Sequence, residues 1–209
     1  MKYIYIVLIR AHTGLGAVAR RITGYPYTHI AVSLDASLTD FISFSRRYHF
    51  CPLDAGFTHE YRDYYAFGKH KSFVAKVFQV PVSEDEYAEI CRYIEKCEHN
   101  DRLVFNLFSM ATMPLIGGFR IQDADNCMSF TAQVLTRCSA VKMKKNYWRY
   151  SIPDIDVLLH DYFYFEGKIK RIFSKSYSSY MRPFSVSKYL KDAVHLFFIL
   201  ISRMLQAIR

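Results

Sequence analysis

The sequence lacks the marks of several common classes. It has no CxxC pair and no HExxH helix; His59-Glu60-Tyr61-Arg62-Asp63 stops short of the second histidine, so neither a zinc site nor a cofactor is expected. Its five cysteines, Cys51, Cys91, Cys97, Cys127 and Cys138, are odd in number and without framework spacing. That argues against a disulfide scaffold and for a reducing compartment. Cys91 and Cys97 fall on one predicted helix, about 9 Å apart by rise, too far to bridge. No signal peptide is evident: the apolar run Tyr3 to Ile9 is cut by Arg10, no small-residue cleavage site follows, and the run reads as a buried first strand. The uncharged run between Asp192 and Arg203 is well short of the ~20 residues needed to span a bilayer. There is no internal repeat or low-complexity tract. A cytoplasmic protein, optionally peripheral to a membrane, is the expectation.

What is present is apolar and basic. Of 209 residues 51% are hydrophobic, enough for one domain with an appendage, and 17 Tyr and 17 Phe make it rich in aromatics. A formal charge of +9 points to an acidic partner such as nucleic acid, anionic lipid or cell-wall polymer, or simply to a basic surface that aids solubility.

The chain divides into a domain over 1–170, a linker over 171–187 where Ser, Tyr and Lys dominate, and an amphipathic helix over 188–209. Strand alternation is predicted over 28–34 and 39–45, with Ile30, Val32, Leu34, Ile42 and Phe44 on one face and His29, Ala31, Ser33, Ser43 and Ser45 on a polar one. In that register Ser45 stands opposite His29. Arg46 to Lys71 reads as a long aromatic loop, a candidate lid, with a short helix near Thr58 to Tyr64. Ser83 to Glu86 is a capping box opening a helix over 84–98. Lys142 to Lys145 beside Tyr147-Trp148-Arg149 is a mixture that can bind nucleic acid, but a short solvated loop beside one packed Trp is the better reading, and nucleic acid is the lesser option. On the last helix, Phe197, Phe198, Ile199, Leu200, Ile201 and Leu205 make an apolar face suited to an anionic membrane surface, to the domain or to a second copy.

One stretch carries chemistry. In Asn126-Cys127-Met128-Ser129-Phe130 a thiol stands at a helix start, with Asn126 as N-cap and Phe130, Val134 and Leu135 as the buried stripe. The positive end of the helix dipole favours the nucleophilic, ionised form of a thiol placed there. A base is then needed, and His29 is the histidine set in a regular strand with polar neighbours. The Cys127 N–H can meet an oxyanion, and Ser43, Ser45 or Glu60 can orient the imidazole.

The order of these segments resembles the permuted NlpC-type branch of the papain-like superfamily, in which the histidine strand precedes the cysteine helix, as it does in lecithin:retinol acyltransferase and its relatives. Thr28-His29, Ser43-Phe44-Ser45-Arg46, Ala55-Gly56-Phe57-Thr58-His59-Glu60 and Asn126-Cys127-Met128-Ser129-Phe130 are similar to motifs of uncharacterised bacterial members, with Ser45 and Ala55 standing where those have glycine. The resemblance implies an α+β fold with a small antiparallel sheet packed on the Cys127 helix. It also implies a cysteine hydrolase or acyltransferase that works through a thioester on a peptide or lipid-like substrate. A non-catalytic, membrane-associated binding module on the same fold is the alternative.

Overall fold

The computed structural model describes residues 1–206, the side chain of Leu15 excepted. The protein is α+β, built on a six-stranded antiparallel sheet ordered β4-β3-β2-β1-β5-β8. The strands are β1 (Lys2–Arg10), β2 (His29–Ser33), β3 (Asp40–Tyr48), β4 (Cys51–Tyr61), β5 (Ser72–Val82) and β8 (Phe163–Lys170). Every residue from Ile4 to Ile9 is buried. A strand flanked on both edges and covered on both faces has to be apolar throughout, which accounts for the unbroken N-terminal run.

One face of the sheet packs Ile4, Ile6, Leu8, Ile30, Val32 and Phe44 against α3 (Glu84–Glu98) and α5 (Cys127–Leu135), through Ile90, Ile94, Phe130 and Val134. The capping box and the bounds of α3 match the sequence reading, with Ser83 Oγ accepting the Glu86 N–H and the Glu86 carboxylate accepting the Ser83 N–H.

The other face departs from expectation. Ala31 and Ser33, on the face read as polar, are fully buried. Tyr65 and Ala66, at the end of α2 (Arg62–Tyr65), close over Ala31, Phe41 and Phe73 and make a second core there. The segment 46–71 is likewise not a loop: it finishes β3, turns, runs back as β4 and ends in α2. Its strand character is masked by Pro52, Gly56 and charged residues, which an edge strand tolerates because only one side needs a full hydrogen-bond ladder.

The segment 171–187 is not a free linker. It holds α7 (Tyr177–Tyr180), whose Tyr180 is buried and stacks on Tyr64 with ring centroids 3.7 Å apart. The His49 N–H donates to the Tyr180 carbonyl at 2.9 Å, and Asp63 accepts the Ser174 N–H at 2.6 Å. The Ser and Tyr content that looked like linker composition is what straps this segment down.

The last helix, α8 (Val186–Gln206), docks Leu196 and Leu200 onto Ile121 and Ala124. Arg203 donates to the carbonyls of Asp123 at 2.7 Å and Arg102 at 2.8 Å. The end of the anticipated helix, 207–209, lies outside the described residues. Among the described residues no helix is long and apolar enough to cross a membrane.

Candidate active site

The start of α5 is locked by its own sequence. Asn126 Oδ1 accepts the N–H groups of Met128 and Ser129, both at 3.0 Å, while Ser129 Oγ accepts the Asn126 N–H at 2.9 Å. Asp125 accepts from Ser129 Oγ at 2.7 Å and from Gln133 Nε2 at 2.9 Å, one helical face read at i, i+4 and i+8. The first i→i−4 bond runs from the Phe130 N–H to the Asn126 carbonyl. Three first-turn donors have no helical acceptor, and Asn126 takes two of them. The Cys127 N–H is the one left. Asn126 Nδ2 is also buried without a partner.

Entry into the helix is fixed by a short parallel pair, β6 (Val104–Phe105) with β7 (Ala124–Asp125), in which the Asn106 N–H donates to the Asp125 carbonyl at 2.8 Å. Fully buried Phe130 then pins α5 to the sheet among Phe44, Phe57 and Tyr93, with ring centroids 5.5 to 5.9 Å away.

His29 opens β2, paired with Ile9 of β1. Its Nε2 lies 2.8 Å from Glu60 Oε2, and the same oxygen accepts the Tyr65 hydroxyl at 2.6 Å. Ser45 lies near the Glu60 carboxylate and helps to lower its pKa. With Nε2 engaged, Nδ1 is the nitrogen left for the thiol. The Cys127 thiol lies near enough to the imidazole to help raise its pKa.

The electrostatics follow from burial and pairing. Burial opposes a charged His29, but the Glu60 carboxylate and the Cys127 sulfur outweigh it and raise the imidazole pKa to about 10. Burial alone would raise Glu60; the His29 charge, the bonds from His29 and Tyr65 and the nearby Ser45 hold it below the ordinary carboxylate value instead. The pair is therefore an imidazolium and a carboxylate, with side chains 12% and 3% exposed.

Of the sequence candidates, Cys127, His29 and Glu60 come together, with Ser45 at their edge. Ser43 does not join them. Its fully buried hydroxyl donates to the Ile30 carbonyl at 2.9 Å, a tie between strands. Sequence reasoning missed Tyr65, which meets Glu60 only because α2 folds back over the sheet, and no spacing rule signals that. It also missed Asp125, although the Asp125, Ser129, Gln133 spacing was legible.

The other buried thiols differ in surroundings. Burial pushes Cys97 up to about 11 and Cys138 up to about 12, so both remain thiols at neutral pH. Cys138 lies just past α5 rather than in its last turn. Cys127 itself is 6% exposed, so the site opens to solvent only narrowly. Among the described residues, no three His, Cys, Asp or Glu side chains are disposed to hold a metal ion.

Several basic side chains are occupied within the fold. Arg20 donates to the Ala11 carbonyl, Arg47 pairs with Asp54 and Lys145 pairs with Asp154. Comparison with protein-family models, with curated proteins and with solved structures gives no match for this chain.

Proposed function

We propose that the protein is a cysteine-dependent hydrolase or acyltransferase with a permuted papain-like arrangement, in which Cys127 is the nucleophile, His29 the proton carrier and Glu60 the group that orients and charges the imidazole. The observation that carries this reading is the His29–Glu60 pair, buried at 2.8 Å beside a thiol at a capped helix start. Cys127 Sγ attacks an ester or amide carbonyl. The proton on His29 passes to the departing oxygen or nitrogen, and a thioester forms on the sulfur. Water, or an acceptor hydroxyl or amine, gives its proton back to His29 as it attacks the thioester and frees Cys127. The developing oxyanion is met by the unclaimed Cys127 N–H and by Asn126 Nδ2, a buried donor with no other acceptor.

Electrophile labelling tests this. Iodoacetamide should modify Cys127 in the folded protein; Cys127→Ala should lose that adduct and His29→Ala should form it at least about tenfold more slowly. Equal labelling in all three proteins would remove the case for an activated thiol.

A lipid-directed version is favoured by the surface beside the site. At 100° per residue, α8 presents three arcs: the docked one, a polar one, and an apolar one carrying Leu190, Val194, Phe197, Phe198 and Leu205, all exposed. Phe197 meets Phe108 of α4 (Leu107–Ile116) at 5.4 Å, and the far end of α4 exposes Leu115 and Ile116. Leu196 and Leu200 rest on Ile121 and Ala124, in the segment that leads directly into Cys127. Such a face suits the boundary between headgroup and acyl chain. The wild-type protein should co-sediment with vesicles containing phosphatidylserine, and Phe198→Glu should lower the bound fraction several-fold. If the wild type stays in the supernatant, the lipid-directed version fails.

A further inference from the structure

A second feature occupies the end of the sheet that carries His29. Ile9, paired with His29, leads in three residues to His12, and Ser45, across from His29 in the register set by Val32 and Ile42, is followed by Arg46. Between them lies a cavity of about 260 Å³ lined by His12, Thr13, Gly14, Arg46, His49 and Phe67, with no acidic residue on its wall.

Its charge is uncompensated. Arg46 makes no ion pair among the described residues; Nε donates to the Tyr180 hydroxyl at 3.0 Å and Nη1 to the His49 carbonyl at 3.2 Å, so Nη2 is unclaimed. These two bonds fix the guanidinium in place without neutralising it. His49 Nδ1 is buried and has no partner. Burial and the neighbouring Arg46 hold His49 down to about 4, so its ring adds no positive charge and no competing anion partner to the wall. His12 stacks on His70 with centroids 4.1 Å apart and is likewise kept from protonating by burial and by the positive groups around it. The start of α1 (Gly14–Thr23) faces the same space. Thr13 takes the N–H groups of Gly16 and Ala17, and that of Gly14 is not used.

A fixed guanidinium without an ion pair and a helix start, set around a space without carboxylates, are donors awaiting an acceptor-only group. We propose that this cavity binds an oxyanion, the phosphate or carboxylate head of the molecule whose carbonyl is presented to Cys127. That assignment to the substrate rests on the thiol reading; the anion site itself does not.

The test is direct binding to the full chain bearing Cys127→Ala, which separates binding from chemistry. Inorganic phosphate and acetate are titrated while the ring-proton resonances of His12 and His49 are followed. Saturable shifts are expected, and whether phosphate or acetate binds more tightly tells a phosphate head from a carboxylate one. Gly14→Glu is the informative variant: a Cβ there meets nothing within 4 Å, so the fold is kept while a carboxylate is placed at the cavity mouth. It and Arg46→Gln should each weaken binding about tenfold or more, the loss expected for one charge-assisted hydrogen bond.

Shifts that do not saturate for either anion, or that are unchanged in both variants, overturn the proposal. Absence of anion binding while Cys127 of the unmutated chain still labels overturns it alone. Anion binding without Cys127 labelling supports the anion site and overturns the thiol reading instead.

Discussion

Glu60→Gln should slow alkylation of Cys127 by about two orders of magnitude, the contribution typical of a general acid–base pair. The substitution keeps the shape of the side chain and one acceptor oxygen but removes its charge. His29 then sits buried with no carboxylate to hold its proton, and burial drives the ring to the neutral form. Breaking one side of a buried pair also costs stability, about 3 kcal/mol.

The cost should depend on pH in a defined way. Glu60 titrates below its ordinary value when folded, so its contribution is present above about pH 4.5 and is lost as pH falls below that. His29 is raised from 6.5 to about 10, so its contribution is complete below pH 6.5 and fades as pH rises toward 10. Urea unfolding of wild type and Glu60→Gln across this range should show the largest gap between about pH 4.5 and 6.5, with convergence on either side. A gap that is constant with pH would mean that the pair is not ionised in the folded protein.

Phe130→Ala should have the largest effect on stability, about 3–5 kcal/mol, or a fall in Tm on the order of 10 °C for a chain of this size. Phe130 is fully buried and wedged among Phe44, Phe57 and Tyr93, so its loss leaves a cavity between α5 and the sheet that neighbouring rings fill poorly. The consequence reaches the site, because this contact sets the height of α5 and with it the place of Cys127 beside His29. Phe130→Leu retains most of the volume and should cost only about 1–2 kcal/mol. Thermal unfolding of the two variants measures the difference; equal losses would mean that the ring cluster does not hold the helix.

Much of this was legible before any coordinates. The α3 capping box, the Asn126 cap and the facing of Ser45 and His29 follow from short-range rules, where spacing alone decides geometry. What was hidden depends on long-range pairing. The strand β4 carries Pro52 and Gly56 and is recognisable only beside β3. The face holding Ala31 and Ser33 reads as polar, and only the return of Tyr65 over the sheet makes it a second core. The strap around Tyr180 has the composition of a linker, yet its tyrosines are packing and hydrogen-bonding groups. In the site the same division holds. Cys127 and His29 stand out in the sequence, Glu60 was one of three alternatives, and Ser43 was separated from them only by its bond to Ile30.

The most direct measurement of the central claim is the rank order of the five thiols. Native protein is treated briefly with iodoacetamide, quenched, and each cysteine is quantified by peptide mass spectrometry. Exposure alone would put the half-buried Cys91 first, since Cys51, Cys97, Cys127 and Cys138 are all buried. An imidazole-activated nucleophile predicts that Cys127 reacts first, ahead of Cys91, despite being 6% exposed. If Cys91 reacts first and Cys127 is modified only under unfolding conditions, the thiol is a core residue and the enzyme assignment is contradicted.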